Sequence, residues 1–373
     1  MRHRGRPRGI AFVAVLVGAF VALIVTPLGS SSNAKKLDGI AQAKAFVKKY
    51  SAAPTSIGIS KPLSKRPPTG KRIYWLECGV PVCHTHSHYL QLAAKVLGWK
   101  LTIVPMGTTP EEIGRAWTRA AEDLPDAVIA TGVPQVLFKA QLAKLWSHKI
   151  PYAAGTSTDP NTNGQIADIA DISDFKLRGV MAANWTVADT DGKANVVFVN
   201  VPDFPVLRVM YSAFASEFKR LCPSCKQAQL KVSATDIGKK MPSIMVSYLQ
   251  AHPDTDYIVY SFGDLAIGVT QALVSGGFQG KVKSYSDAGS PVNRQDIVNG
   301  KIQVVDTGAN EAMLTWRVMD VLARWFDGDP VSCCNTGVLP KQYLTKANIT
   351  DPKANWFGPK NYQAQFKKLW HIP

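Results

Sequence analysis

The sequence predicts an α/β protein built from two doubly wound lobes, each with its own parallel sheet. From residue 71 onward, short apolar runs alternate with segments in which apolar residues recur at helical spacing. The alternation forms two successive series, and roughly 300 residues are too many for one ordinary hydrophobic core. Strands joined by helices imply right-handed crossovers between parallel strands, so each series is expected to form one lobe.

The first series supplies four strands and three helices. The strands are predicted at the apolar runs "RIYWLE" (72–77), "KLTIVPM" (100–106), "DAVIATG" (126–132) and "IPYAAG" (150–155). Helical periodicity lies between them, over 84–98, 110–122 and 134–148. The second helix has a strong start, because Pro110 stands in its first turn and two acids, Glu111 and Glu112, follow.

The second series repeats the pattern. Its strands are predicted at "ANVVFVNV" (194–201), "AQLKVSA" (228–234), "DYIVYSF" (256–262) and "KVKSYSD" (281–287). Helices are predicted over 205–221, 238–250, 265–275, 292–299 and, later, 311–326. Open parallel sheets bind their ligands beyond the carboxyl ends of the strands, so a cleft between the two lobes is the expected site.

Residues 1–34 have the features of a secretory leader. Arginines at positions 2, 4, 6 and 8 precede an apolar run over 10–29, and Ser32-Asn33-Ala34 supplies small residues suited to cleavage. The run is also long enough to serve as an uncleaved N-terminal membrane anchor. In both cases the body of the protein is expected outside the cytoplasmic membrane.

Residues 35–70 are predicted to form a basic linker. It would begin with a short amphipathic helix, whose apolar residues recur at helical spacing (Leu37, Ile40, Ala41, Ala45 and Phe46). The stretch "SAAPTSIGISKPLSKRPPTGK" that follows has the Pro, Ser, Gly and Lys composition of an extended tether. Most of the formal charge of +16 lies on the leader and this linker. Anionic lipid headgroups are a better match for charge placed there than nucleic acid, which is excluded as a partner.

Motifs of common cofactor-dependent and hydrolytic enzymes are absent from the sequence. No G-x-G-x-x-G follows a predicted strand, and "SGGFQGKV" (275–282) departs from a phosphate-binding loop at its first and last positions. No G-x-S-x-G nucleophile elbow occurs. The sequence therefore predicts neither a cofactor nor an enzymatic activity.

Several phrases occur together in the order and spacing of one known family: "AAKVLGWKLTIVPMGTTPEEIGRAW", "DAVIATGVP", "KIPYAAG", "GDLAIGVTQALVSGGFQGKVKSYSDAGSPVNRQDIVNGKIQVV" and "MDVLARWFDGDPV". They resemble the type I periplasmic substrate-binding proteins of ABC importers, of the ribose-binding and related sugar-binding kind. The resemblance covers roughly residues 71–345 and is densest over 264–330. It implies two lobes that close around a ligand by hinge motion.

The resemblance also implies domain boundaries. The first lobe would comprise 71–178 and 309–330, the second 179–308 and 331–345, and residues 346–373 would be a C-terminal tail. The chain would cross between the lobes three times, near 174–179, 306–309 and 329–332.

The implied function is capture of a small molecule, with a sugar as the first choice, and its delivery to an ABC permease in the membrane. The protein would act as a monomer and perform no chemistry. A membrane-tethered ligand sensor of the same fold, presenting its closed form to a signalling partner, is one alternative. A secreted enzyme is the other.

Candidate ligand contacts follow from the same resemblance. Asp287 stands where the family places an Asp that accepts sugar hydroxyls, although a helix cap with Ser290 is the alternative. Arg208 matches the family's cleft arginine or is a solvated helix charge. Asp264 is a ligand contact or a helix N-cap, and for Asp174 capping is the favoured role. Phe204 and Phe262 stack on a ligand or pack in the core.

The sequence departs from the ribose-type pattern at several of these positions. Val80, Val82 and Cys83 replace an Asn and two Phe after the first strand, and Thr156 and Ser157 replace an Asp-Arg pair. Thr307 replaces a Gln near the second crossing. Short hydroxyl side chains thus take the place of charged groups, so a less polar ligand than a sugar is also plausible. Glu77, which ends the first strand, completes the set of candidate contacts.

The stretch "ECGVPVCHTHSHYL" (77–90) holds two cysteines and three histidines. In an exported protein, close cysteines are more often oxidised than bound to metal. Six cysteines in three close pairs indicate three local disulfides, Cys78–Cys83, Cys222–Cys225 and Cys333–Cys334, although 15 pairings are formally available. The alternatives are a zinc site that uses His84 and His88, one helical turn apart, and a cysteine nucleophile. His84 or His86 is a further candidate for the cleft lining.

Overall fold

The computed structural model describes residues 30–335 and 337–373. Most of the predicted leader (1–34) lies outside the described residues. Within them, no helix combines the length and the apolarity that a membrane crossing requires.

The strands of the described residues form two separate sheets. The first sheet has the order β2-β1-β3-β4-β5 and is parallel throughout. Its strands are β1 Arg72–Cys78, β2 Lys100–Gly107, β3 Ala127–Thr131, β4 Tyr152–Gly155 and β5 Gln165–Ile169. The second sheet has the order β11-β10-β9-β8-β6-β7. Its strands are β6 Asn195–Asn200, β7 Lys226–Lys231, β8 Tyr257–Tyr260, β9 Lys283–Asp287, β10 Gln303–Ala309 and β11 Lys341–Thr345. Two parallel-sheet lobes confirm the predicted fold class, with one addition, since β11 runs antiparallel to β10.

Helices cover both sheets. They are α1 Ser30–Lys49, α2 Pro81–Leu97, α3 Pro110–Asp123, α4 Lys139–Ser147, α5 Ile172–Asp189, α6 Pro205–Leu221, α7 Met241–Ala251, α8 Val269–Ser275, α9 Pro291–Asn299, α10 Glu311–Asp327 and α11 Tyr362–Leu369. We define the first lobe as the β1–β5 sheet with α2, α3, α4, α10 and α11. The second lobe is the β6–β11 sheet with α1 and α5 to α9.

The helix boundaries follow local chemistry. Helix α3 begins at a full capping box, in which Thr109 accepts from the backbone N–H of Glu112 and the Glu112 carboxylate accepts in return. Helix α2 begins earlier than the predicted residue 84, because Val80 is extended and Pro81 suits the first helical position. The helix predicted over 265–275 is shortened because Gly268 has a φ of +75°, so α8 starts at Val269.

The chain passes between the lobes at three central places. It leaves the first sheet at Ile169, and α5 then packs against α6 in the second lobe. The two helices approach closely at Gly179, where a Cβ would collide with the Met210 carbonyl. It returns after Ala309, where α10 packs on α2. It crosses again over 328–340 to reach β11, and on the way the Asn335 carbonyl accepts from the backbone N–H of Asp168. The first passage therefore precedes the span 174–179, which lies inside α5.

The N-terminal segment adds a further passage. Helix α1 packs on α5 and α6 of the second lobe, where Lys44 pairs with Asp191 at 2.7 Å. Residues 51–70, expected to be a tether, then run along the first lobe. The Lys61 carbonyl accepts from Nη2 of buried Arg324 over 2.6 Å, and the Ile57 carbonyl accepts from Arg317. The N-terminal segment, α1 together with residues 51–70, thus contacts both lobes.

The C-terminal segment (346–373), expected to be a tail, also belongs to the first lobe. Trp370 is fully buried, stacks on Trp316 with ring centroids 5.3 Å apart, and donates from Nε1 to Asp320 over 2.8 Å. The Leu63 backbone N–H donates to the Leu369 carbonyl, so the two terminal segments meet on one face of this lobe. The path from β11 to α11 is therefore another passage between the lobes.

Candidate functional site

A cavity lies between the lobes, at the carboxyl ends of both sets of strands. The space free of protein atoms there is about 650 Å³, counting the part that is open to solvent. The first lobe contributes Cys78, Val80, Val82, Cys83, His86, Thr131, Gly132 and Thr156. The second lobe contributes Phe204, Val206, Leu207, Ser261, Phe262, Asp287 and Ala288, and also Phe175 and Arg178 of α5. Glu311, the first residue of α10, also lines the cavity.

Arg178 is the central charged residue of the cavity wall. Its Nη1 donates to Asp287 over 2.7 Å and its Nε donates to Asp174, one helical turn earlier, over 2.6 Å. Lys341 on β11 donates to the other oxygen of Asp174 over 2.6 Å. All four side chains are buried, so helix α5, the end of β9 and the start of β11 are joined by one ionic network.

The network shifts the ionisation of its members. Burial opposes the charged form of Asp174, but Lys341 and Arg178 lower its pKa below the ordinary value. Burial raises the pKa of Asp287, and Arg178 only partly offsets that rise. Although burial also disfavours a charged guanidinium, the surrounding carboxylates, that of Asp287 foremost, raise the pKa of Arg178. Arg178 is therefore a permanent cation in this wall.

A second pair joins two helices of the first lobe, α2 and α10. Nε2 of His86 on α2 is hydrogen-bonded to Oε2 of Glu311, the first residue of α10. Burial works against the Glu311 carboxylate, but its contact with His86 lowers the pKa of Glu311 below the ordinary value. Each charged side chain that lines the cavity thus has a partner inside the protein.

Three polar atoms of the cavity-lining residues are left without a hydrogen-bond partner among the described residues. They are Oδ1 of Asp287, Oγ of Ser261 and Nδ1 of His86. A buried polar atom without a partner costs about 1–3 kcal/mol, so such atoms need an explanation in a folded protein. Hydroxyl groups of a ligand would supply the missing partners.

The lobes touch each other across the cavity. The backbone N–H of Val82, in the first turn of α2, donates to Oδ2 of Asp264 in the second lobe over 3.0 Å. Phe204 of the second lobe lies against Gly132 of the first, with its Cδ1 3.3 Å from where a Cβ would stand. Burial in this contact raises the pKa of Asp264 to about 6. These contacts define a closed arrangement of the two lobes.

The structure brings only some of the predicted contacts to the cavity. Asp287, Phe204, Phe262 and Thr156 line it, as do Val80, Val82 and Cys83 from the position where the ribose-type pattern has Asn and Phe. Asp174 lies behind the wall and holds Arg178. Asp264 forms the contact between lobes beside the cavity.

The other candidates lie elsewhere. Arg208 is exposed on α6 and its guanidinium donates to the Pro202 carbonyl. Thr307 is buried within β10, where its hydroxyl pairs with that of Tyr285. Glu77 accepts from the hydroxyl of Ser87 over 2.8 Å. The backbone N–H of Ser157 donates to Oδ1 of Asp168, and Ser157 is not among the residues that line the cavity.

The cysteines pair in the structure as Cys78–Cys83, Cys222–Cys225 and Cys333–Cys334. The first disulfide lines the cavity. His84 pairs with Glu77, and the His88 ring lies against Tyr89. Across the described residues, no three His, Cys, Asp or Glu side chains are grouped so that they could hold a metal ion.

Sequence reasoning did not single out Arg178 or Glu311. The spacing of Asp174 and Arg178 is an i,i+4 pair, which by itself indicates only a helix-surface ion pair. Glu311 comes two residues after the end of β10, a strand that was not predicted, and so its position near a strand end was not evident. His86 was considered for the cleft together with His84, and it is His86 that reaches the cavity.

Comparison with known proteins agrees with the two-lobe fold described above. The family model described as "Periplasmic binding protein domain" matches residues 88–329. A 5-methylthioribose transporter solute-binding protein from Thermotoga lettingae TMO has a TM-score of 0.69 at 17% identity, over 81% of this chain and 100% of its own. An ABC sugar transporter subunit from Rhodobacter sphaeroides 2.4.1 has a TM-score of 0.66 at 20% identity, over 75% of this chain and 99% of its own.

An ABC transporter solute-binding protein from Agrobacterium vitis, solved with bound allitol, has a TM-score of 0.65 at 18% identity, over 80% of this chain and 99% of its own. At these identities the likenesses concern the fold. No curated protein sequence matches the chain.

Proposed function

Because this chain belongs to the periplasmic binding protein family, we propose that it is an extracytoplasmic solute-binding protein of an ABC importer. It captures an uncharged, hydroxylated small molecule, with a sugar as the first choice, and delivers it to a permease in the membrane. It performs no chemistry on this molecule and acts as a monomer. The neighbours solved with 5-methylthioribose and with allitol support a sugar-like ligand.

The observation that carries this proposal is a set of buried polar atoms without partners, all in residues that line the cavity. Asp287, Ser261 and His86 each have one polar atom that lacks a hydrogen-bond partner in the described residues, and all three line the same space. An acceptor, a hydroxyl and an imidazole nitrogen can together bind several hydroxyl groups, each of which donates and accepts. A polyol or a sugar has that pattern of groups.

The pairing of charges supports an uncharged ligand. Arg178 is neutralised by two carboxylates, and Glu311 is paired with His86. A phosphate, a carboxylate or an ammonium group in this cavity would lose its water and find no free counter-charge among the residues described. Phosphorylated sugars and amino acids are therefore poor candidates.

Binding would work through closure of the lobes. Hydroxyl groups of the ligand would join His86 on the first lobe to Asp287 and Ser261 on the second, and only the closed arrangement offers all three at once. A ligand that binds the closed form better shifts the population toward it. The permease would then recognise the closed protein.

The test is to identify the small molecule that copurifies with the protein. Mass spectrometry of the material released by denaturing freshly purified protein should show an uncharged polyhydroxylated compound in near-equimolar amount. Asp287→Asn protein, purified in parallel, should retain much less of it. Release of a phosphorylated or zwitterionic compound would contradict the proposal, as would conversion of the bound compound into a product by the purified protein.

A further inference from the structure

The polar and apolar parts of the cavity wall are separated along the second sheet. The strands lie in the order β10, β9, β8 and β6. Glu311 follows β10 and Asp287 ends β9, whereas Ser261 and Phe262 follow β8, and Phe204 follows β6. The wall therefore changes from charged groups to aromatic rings across four neighbouring strands.

The apolar part continues across the cavity into the first lobe. Phe204 contacts Gly132, and the adjacent Thr131 places its Oγ1 3.8 Å from Sγ of Cys83. The Cys78–Cys83 disulfide and Val80, which stands inside its loop, line the same cavity. We call Phe204, Phe262, Val80 and this disulfide the apolar wall.

The apolar wall cannot satisfy hydroxyl groups. Its two rings and its valine have no hydrogen-bonding side-chain atoms, and oxidised cysteines have no S–H to donate. A ligand hydroxyl pressed against it would lose its hydrogen bonds to water without replacement. A hydrocarbon group there would instead gain dispersion contacts and leave water.

We propose that the ligand is a sugar-like molecule with an apolar alkyl or aryl substituent. Its hydroxyl groups face Asp287, Ser261 and His86, and its substituent lies against the apolar wall. This inference rests on the proposed function and narrows its ligand class, since a sugar with hydroxyl groups on every carbon would leave some of them unsatisfied at the wall.

The test compares matched pairs of ligands by calorimetric titration of the full protein freed of copurified material. Several pentoses and hexoses are each measured beside their methyl and phenyl glycosides in both anomeric forms. At least one substituted compound should bind ten or more times as tightly as its parent sugar. If every parent binds as tightly as its derivatives, the inference is wrong while the sugar-binding function stands. If neither set binds, the proposed function fails together with the inference.

Two variants locate the preference at the wall. Phe204→Ala removes the ring together with its contact to Gly132 and so weakens binding of both compounds, but it should weaken binding of the preferred derivative at least tenfold more than that of its parent. Val80→Thr keeps the shape of the side chain and adds a hydroxyl, so it should shift the preference back toward the parent. Val209→Ala, on helix α6, which begins directly after Phe204, lies in the groove beside α5; it is the matched control and should alter neither affinity. An unchanged preference in both wall variants, with melting temperatures near that of the native protein, overturns the proposal.

Discussion

Arg178 on α5 and Asp287 at the end of β9 form a buried ion pair in the cavity wall, with Nη1 2.7 Å from Oδ2. The pair uses one oxygen of Asp287 and leaves the other without a partner in the described structure. The two oxygens of Asp287 are thus divided: one holds Arg178, and the other is unpartnered in a residue that lines the cavity. This division determines which substitution can test its role.

We expect Asp287→Asn to weaken ligand binding by about 1.5–3 kcal/mol, because it removes a charged acceptor while keeping the side chain's shape. Asp287→Ala is a poorer choice, since it would leave Arg178 with one buried partner fewer and destabilise the fold. Calorimetric titration gives the affinity and thermal unfolding checks the fold. Exposed Asp254→Asn is the control. Full affinity in folded Asp287→Asn protein would show that Asp287 only positions Arg178.

The disulfide at the cavity should matter more for binding than for stability. Peptide mapping without reduction should recover Cys78 joined to Cys83, and Cys222 joined to Cys225. Cys78→Ser with Cys83→Ser should lower affinity more than melting temperature, because this loop forms part of the cavity wall. So short a loop should contribute less than the roughly 3 kcal/mol expected of a fifteen-residue loop.

The pair Cys222→Ser with Cys225→Ser is the matched control, since this disulfide lies away from the cavity and should leave affinity unchanged. Free thiols at Cys78 and Cys83 together with equimolar zinc in fresh protein would contradict the disulfide. Equal losses of affinity in both double variants would argue against a role in the cavity wall.

Ligand should make the protein more compact in solution. The contacts of Val82 with Asp264 and of Phe204 with Gly132 join the lobes, and we expect hinge opening to break both. Small-angle scattering should therefore give a smaller radius of gyration with saturating ligand than without. A radius that stays constant while binding is verified by titration would rule out hinge closure as the mechanism.

Closure should also depend on pH through Asp264. Burial raises its pKa to about 6 in the closed form, whereas an exposed aspartate in the open form would have a pKa near 3.9. Protonation therefore favours closure: the contribution is fully present below the open-form pKa and is lost as pH rises through about 6. Because His86 and Glu311 also act on Asp264, the variant Asp264→Asn is needed to assign the effect.

We expect affinity to rise several-fold, up to about tenfold, between pH 7 and pH 5 in the native protein. The rise should be absent in Asp264→Asn. An identical pH profile in the two proteins would place the titrating group elsewhere, and an affinity that falls with pH in the native protein would contradict the predicted sign.

The C-terminal segment should contribute strongly to stability. Trp370→Ala removes the ring stacked on Trp316 and leaves the Asp320 oxygen without its indole donor, so we expect a loss of about 3–5 kcal/mol in the free energy of unfolding. Denaturant titration measures it. Trp325→Ala is the control, because that ring is only half-buried and should cost clearly less. Comparable losses in the two variants would refute the special role of Trp370.

The sequence predicted the lobes well because buried parallel strands are continuous apolar runs, which are visible without any knowledge of their partners. The same apolar runs indicated where each strand ends, and ligands of parallel sheets bind at the strand ends. Asp287 and Phe262, which end two of the predicted strands, therefore line the cavity. Arg208 shows the limit of such reasoning. Successive residues of a helix are rotated by about 100°, so Leu207 faces the cavity and Arg208, one position later, faces solvent.

Composition was a weaker guide than periodicity. Residues 51–70 have the Pro, Ser and Lys content of a tether, yet their carbonyls are bound by Arg317 and Arg324, more than 250 positions away along the chain. Arg178 raises the same difficulty, since its partner Asp287 is separated from it by 109 positions. Pairings of this kind are set by the tertiary fold, and no local pattern reveals them.

The meeting of the two terminal segments on the first lobe also constrains the order in which the protein can fold. Leu63 and Leu369 share a hydrogen bond, and the Trp316–Trp370 stack lies beneath them, so this lobe is unfinished until nearly the whole chain is available. The sheet of the second lobe needs nothing beyond Thr345. In a chain that emerges from its N-terminal end, the strands of both sheets are therefore available before the core of the first lobe can close. That last step depends on contacts of very long sequence separation, which form slowly.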